Sequence, residues 1–249
     1  MNKPQSPPQS PLYTSTGELF QLVRVYYRVF SQATVLGVFK KLRCIEFDRT
    51  QNRWVWLFEH EAKKLRLGKP YSELPKEIRP VVIGYFTFRG EDQMLLDVRS
   101  VERSTHAIEF FDKRINRRAA QVTNLRIVNK LFEPTQEKIQ EVIKQSPDRF
   151  FDCDNITRSA EVLMAGFEQL KKEEDIEIRR QKAFAWIEQQ ARLPLSEVEE
   201  IQTHFYENGI EGGIEPLKIA LKLRQLELIE RWNGNRDANI LNIIQNYIQ

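Results

Sequence analysis

The chain has 249 residues, of which 41% are hydrophobic, and it contains 15 Phe and 4 Trp; this composition excludes intrinsic disorder for most of its length. The formal net charge is only +3, but residues 1–133 hold 23 basic and 14 acidic residues (+9), whereas residues 134–249 hold 15 and 21 (−6). Because opposite charges attract, we expect the two halves to dock, either within one chain or between two copies.

The beginning of the chain predicts a tail followed by alternating helix and strand signals. Residues 1–15 are rich in Pro, Gln and Ser, which predicts a disordered tail. Apolar residues recur at helical intervals over 16–31 and predict an amphipathic helix. β-branched and aromatic residues then predict strands at 35–47 and 54–58, with a hairpin loop at 48–52 between them.

A second strand pair follows a loop that contains three prolines. Residues 81–89 and 93–98 have strand composition and flank a short turn with a glycine. Helical spacing returns at 100–115, and alternating apolar residues predict a strand at 120–132. This order of elements predicts an α+β domain over 16–132, with a mixed or antiparallel sheet and helices on one face.

Residues 133–249 predict an all-α domain, because the strand pattern ends near Pro134. Helices are expected at 136–145, from 155 to about 191, at 196–208, at 217–232 and at 237–248. Ser196 and Glu199 have the spacing of a capping box at the start of the third of these helices. The last two helices are more apolar than one face requires, which predicts that part of their surface closes a homodimer; burial within one chain is the alternative.

No motif in the sequence carries recognisable catalytic or metal-binding chemistry. His60, His106 and His204 lack partners at the spacing of metal ligands, and Cys44 and Cys153 lie on dissimilar segments. We therefore assign no catalytic, cofactor-binding or metal-binding residue and expect no cofactor. The chain has no run of about 18 apolar residues, and its first residues are polar, so we expect a cytoplasmic protein without a membrane span.

The most distinctive charged feature is a basic run at the end of the predicted helix 100–115. It consists of Lys113, Arg114, Arg117 and Arg118. One interpretation is solvated surface, since a helix C-terminus favours basic side chains. The other is a contact surface for a polyanion or an acidic partner. Aromatic residues on the strands 54–58 and 81–89 would support nucleic-acid binding only if they were uncovered, and we expect them in the core.

The segments Leu96–Ser100 and Glu109–Asp112, together with the Gln-, Asn- and Ile-rich ending 239–249, resemble conserved proteins of filamentous cyanobacteria that lack an established biochemical activity. Such proteins include suspected regulators of heterocyst differentiation. The resemblance implies a regulatory setting in cell differentiation and assigns no functional residues.

These observations together predict a non-enzymatic regulatory or scaffolding protein that acts through protein–protein contacts. A nucleic-acid-binding regulator that uses the basic N-terminal half is the alternative hypothesis, and an enzyme with dispersed site residues is the third.

Overall fold

The computed structural model describes residues 10–137, 139–140, 145–152, 156–158, 165–166, 168–193, 195–203, 205–208 and 210–248. The strands are β1 (Val23–Val29), β2 (Ile45–Asp48), β3 (Arg53–Leu57), β4 (Val82–Arg89), β5 (Gln93–Val98), β6 (Ala120–Val128), β7 (Ile156–Arg158) and β8 (Val198–Gln202). The α-helices are α1 (Gln32–Phe39), α2 (Val101–Asp112), α3 (Asp148–Phe151), α4 (Ile176–Ala191), α5 (Phe205–Asn208), α6 (Ile210–Trp232) and α7 (Ile240–Ile248). Short 3-10 turns lie at His60–Lys64, Tyr71–Glu73 and Lys76–Ile78.

These eight strands form one mixed sheet in the order β2-β3-β4-β5-β1-β6-β8-β7. Neighbouring strands are antiparallel except β7 and β8, which are parallel. Strand β1 lies near the middle, and its Val23 is opposite Val98 of β5 and Ile127 of β6. The prediction of an α+β fold with a mixed sheet is therefore confirmed.

One face of the sheet is apolar and forms the main core with helices α1, α2 and α6. Alternate residues of the strands supply it, because successive side chains of a strand point to opposite faces. The buried members from the strands include Val23, Val25, Tyr27, Trp56, Phe86, Met94, Leu96, Leu125 and Ile127. Phe39 of α1, Phe111 of α2 and Leu221 of α6 are fully buried against them.

Most of the strand aromatics that could have served as a stacking surface belong to this core; Tyr85 of β4 points to the other face of the sheet. Trp56, Phe58 and Phe86 are buried, and Trp54 and Phe88 pack against them. The ring of Phe86 lies 4.7 Å from that of Phe111 on α2, in an edge-on arrangement. The expectation that these rings are core residues is confirmed, and base stacking on them loses its basis.

Two sequence predictions in the first half are wrong. Residues 16–31 contain the strand β1 and no helix. The helical spacing included Phe20 and Leu22, which precede the strand and pack in a different cluster from Val23, Val25 and Tyr27. The segment predicted as one strand at 35–47 begins as helix α1, for which the Ser31 side chain accepts a hydrogen bond from the backbone amide of Thr34. The hairpins, helix α2 and strand β6 lie where they were predicted.

The expectation that the second half is all helical is also wrong, since it supplies β7 and β8 to the sheet. The presumed capping-box helix at 196–208 contains strand β8, because Glu199 and Glu200 pair with arginines on opposite sides of it. Glu200 lies 2.7 Å from Arg126 of β6, and Glu199 lies 2.9 Å from Arg224 of α6. Likewise β7 lies within the predicted helix 155–191, of which only α4 forms a described long helix.

Helices α6 and α7 agree with the last two predicted helices. The domain boundary near residue 133 stays a prediction, although the sheet continues across it. Residues 10–15 of the predicted tail belong to the fold, as the backbone amide of Leu12 donates to the carbonyl of Phe132 at 2.7 Å. Residues 1–9, Cys153 and His204 lie outside the described residues.

Candidate functional site

The second face of the sheet carries a row of polar side chains. Tyr85, Asp97, Arg24, Arg126 and Glu200 follow one another across β4, β5, β1, β6 and β8 in the strand register. Their sequence neighbours point into the main core, so these five residues point to the opposite side. We call this side the polar face.

Arg24 is the most deeply buried charge on the polar face, with 1% of its surface exposed. Its Nε and Nη2 donate to the two carboxylate oxygens of Asp97 at 2.6 and 3.0 Å. Its Nη2 also lies 2.7 Å from Asp148, and its Nη1 lies 3.6 Å from Asp152. Burial would lower the pKa of Arg24, but hydrogen bonds and charges from Asp97 and Asp148 raise it above its ordinary value. Arg24 is therefore a fixed cation surrounded by carboxylates.

The aspartates above Arg24 come from the acidic half of the chain. We call residues 145–152 the acidic segment; it includes the single turn α3. Arg89, at the end of β4, also donates to Asp148 and, at 2.9 Å, to Asp152. Partial burial would raise the pKa of Asp148, but Arg24 and Arg89 hold it below its ordinary value. The acidic segment is thus bound to the polar face by two carboxylates.

Phe151 anchors the acidic segment. It is 1% exposed and belongs to a small apolar cluster with Phe20, Leu22, Val128, Phe132 and Val198. The guanidinium of Arg24 lies 4.9 Å from the centre of its ring, and Arg126 donates to its carbonyl oxygen at 3.0 Å. The segment therefore combines one buried ring with two half-exposed carboxylates.

A cleft of about 560 Å³ opens beside these ion pairs, between the polar face and the acidic segment. Its charged lining consists of Arg24, Arg53, Arg89, Arg99, Asp97 and Asp148. Arg53 also stacks on the ring of Tyr85, with 3.8 Å between the guanidinium carbon and the ring centre. We call this cleft the arginine cleft. Asp152 and Asp48, which do not line the cleft, also pair with Arg24, Arg89 and Arg53, so an anionic ligand would compete with carboxylates of this chain for these arginines. The cleft volume is in the range of ligand sites.

The basic run predicted from the sequence lies elsewhere. Lys113, Arg114, Arg117 and Arg118 follow α2 and precede β6, and none of them lines the arginine cleft. Arg114 covers the ring of Phe110 at 3.5 Å, and Arg117 pairs with Asp112 at 2.8 Å. Lys113 and Arg118 are exposed. A contact role for these four residues stays a prediction.

The residues of the arginine cleft were not predicted from the sequence, although the alternating polarity of one segment pointed to Arg24. Val23, Arg24 and Val25 alternate in polarity as a strand does, but the surrounding apolar residues favoured a helix. Arg89 and Asp148 are far apart in the sequence and share no motif. Local spacing could therefore have predicted that Arg24 lies on one face of a strand. It could not have predicted which other residues form the cleft with it.

Nucleophilic and metal-binding groups give no site among the described residues. Burial, together with Glu61, raises the pKa of the Cys44 thiol to about 12, so it is a poor nucleophile. The Nε2 atom of His106 lies 3.0 Å from the carbonyl oxygen of Arg66, a structural contact. Within the described ranges no cluster of three His, Cys, Asp or Glu side chains is arranged to hold a metal ion.

Comparisons with protein families, with curated proteins and with solved structures find no match to this chain. In the part of the chain that the structure describes, no helix is both long enough and apolar enough to cross a membrane.

Proposed function

We propose that this protein is a non-enzymatic regulatory protein that acts through protein–protein contacts, and that the arginine cleft binds an acidic segment of a partner protein. One observation carries the proposal: Arg24 and Arg89 already bind two aspartates of a peptide segment, four residues apart. The site is thus complementary to carboxylates on a polypeptide.

The chemistry of the lining supports a carboxylate ligand. Guanidinium groups form paired, charge-assisted hydrogen bonds to carboxylates, as Arg24 does with Asp97. Arg53 and Arg99 line the cleft beyond the two arginines that hold the acidic segment, and Arg53 also lies 3.4 Å from Asp48. A partner with several acidic side chains would meet these arginines together.

Binding of a fluorescein-labelled octa-aspartate peptide, followed by fluorescence anisotropy, tests the proposal. The double variant Arg53→Gln/Arg99→Gln should weaken binding about tenfold or more, because each charged hydrogen bond contributes about 1.5–3 kcal/mol. The control Lys113→Gln/Arg118→Gln removes the same charge from the exposed basic run and should leave binding unchanged. If the control weakens binding and the cleft variant does not, the proposed site is wrong.

Nucleic-acid binding through the basic half is the alternative, and the same assay separates the two. The stack of Arg53 on Tyr85 is the feature of the cleft that would suit a base. Labelled octathymidylate should bind more weakly than octa-aspartate. Tighter binding of the oligonucleotide, with a steep loss of affinity as salt rises, would favour the alternative and contradict our proposal. The cytoplasmic location and the cyanobacterial setting stay predictions.

A further inference from the structure

We infer that the acidic segment, residues 145–152, is an autoinhibitory element that occupies the arginine cleft until an acidic partner displaces it. This inference rests on the proposed function, because it concerns access to the same site. It adds that binding is a competition between a segment of this chain and a segment of the partner.

The acidic segment occupies the groups that a partner would need. Asp148 and Asp152 each lie within ion-pair distance of both Arg24 and Arg89. Arg24 keeps only 1% of its surface exposed beneath the segment. A second carboxylate can therefore reach Arg24 only when the segment moves away.

The polar attachments around Asp148 are of a kind that can exchange, while the buried ring of Phe151 and the hydrogen bond from Arg126 to its carbonyl hold the other end of the segment. The described backbone hydrogen bonds of α3 and its flanks are local: Arg149 donates to Ser146, Phe150 to Pro147 and Asp152 to Asp148. By contrast, β8 is joined to β6 by a register of five residue pairs. The side chains of Asp148 and Asp152 are 49% and 42% exposed, and their pairs with Arg89, which is 38% exposed, are individually weak. The pair of Asp148 with the buried Arg24 is the stronger attachment.

If the acidic segment is displaced, Arg24 does not become an unpaired buried charge. Asp97 lies on β5, below the segment, and its two hydrogen bonds to Arg24 do not involve residues 145–152. With the segment away, the four arginines of the lining are paired only with Asp97 and with Asp48, which lies 3.4 Å from Arg53. The cleft then attracts anions more strongly than in the closed arrangement, while Arg24 keeps a partner.

Neutralising the segment tests the competition. The affinity of octa-aspartate is compared between the wild-type chain and Asp148→Asn/Asp152→Asn. We expect the variant to bind about tenfold more tightly. This ratio corresponds to a wild-type chain in which the segment fills the cleft in about nine molecules of ten, so that only about one in ten can bind the peptide. The control Glu168→Gln/Glu188→Gln makes the same change in net charge on exposed side chains that do not line the cleft, and should bind as the wild type does.

A second readout follows the segment directly. Arg149 lies in the turn α3, and trypsin cleaves a segment only after its backbone opens, so the rate of cleavage after Arg149 reports release. Octa-aspartate should accelerate this cleavage in the wild-type chain and leave it unchanged in Arg53→Gln/Arg99→Gln at the same peptide concentration.

The outcomes separate the two proposals. Equal affinity of the wild-type chain and the neutralised variant, without faster cleavage at Arg149, would overturn the autoinhibition and leave the proposed function standing. Equal tightening in the Glu168→Gln/Glu188→Gln control would also overturn it, as a general charge effect. Failure of the peptide to bind either the wild-type chain or Asp148→Asn/Asp152→Asn would overturn both proposals.

Discussion

Replacing Arg24 with methionine should destabilise the fold, because Asp97 would remain buried without its cation. The two side chains are 2% and 13% exposed, and they share hydrogen bonds of 2.6 and 3.0 Å. Removing one partner of a buried ion pair lowers the free energy of unfolding by about 3–5 kcal/mol. For a chain of this size that corresponds to a melting temperature lower by about 6–20 °C.

A double-mutant cycle distinguishes the loss of the ion pair from a general loss of packing. Arg24→Met, Asp97→Leu and the double variant are unfolded with urea, and their free energies of unfolding are compared. Replacing both charges with apolar side chains leaves no unpaired charge, so the double variant should recover most of the stability that Arg24→Met loses.

Arg28→Met is the matched control, since Arg28 lies on the same strand and is exposed. It should change the free energy of unfolding by less than about 0.5 kcal/mol. Additive effects of Arg24→Met and Asp97→Leu would refute the argument. So would a cost of Arg24→Met no larger than that of Arg28→Met.

Two further predictions concern the acidic segment and the assembly. Because the pKa of Asp148 is held below its ordinary value, its contribution to stability is present above that value and is lost as the pH falls through the lowered pKa. The difference in urea midpoint between the wild-type chain and Asp148→Asn should therefore stay constant from about pH 7 to about pH 5 and disappear only in stronger acid; its disappearance above pH 5 would contradict this. We also expect a homodimer, although Leu217, Leu221 and Leu228 of α6, on which that prediction was based, are buried within the chain. The exposed apolar side chains that could form its contact are Ile176, Ile178 and Phe184 of α4, which are 77%, 44% and 63% exposed. Light scattering should give twice the chain mass, and a value near 29.5 kDa would contradict the dimer.

Strands with a tight hairpin loop could be predicted from the sequence, whereas strands that depend on distant partners could not. The turn Gly90–Asp92 identifies β4 and β5 locally, because such a turn fixes the direction of the chain. Strand β1 is covered on both faces, so its burial does not alternate and its residues fit a helical pattern equally well. Strand β8 carries Glu199 and Glu200, and the arginines that make these charges tolerable lie in β6 and α6.

The candidate site also depends on residues that are distant in the chain, so it could not be predicted from the sequence. Lys113, Arg114, Arg117 and Arg118 form a visible cluster because they are neighbours in the chain. The arginine cleft is assembled from β1, β3, β4, β5 and a segment about 50 residues beyond them. Charged residues that are neighbours in the sequence are therefore not the same residues as those that meet on a face of the sheet.

The charge partition of the chain is the one global feature from which the site follows. Arg24, Arg89 and Arg126 of the basic half form ion pairs with carboxylates of the acidic half. One ion pair has the opposite arrangement, because its cation, Lys218 on α6, belongs to the acidic half and lies 2.6 Å from Glu109 on α2. The halves are thus joined within one chain. On the proposed function, an acidic partner would replace the carboxylates of the acidic segment at Arg24 and Arg89, so the net gain at these two arginines would be the small difference between similar ion pairs. Such an exchange would be reversible and sensitive to the local concentration of acidic segments, as the proposed regulatory role requires.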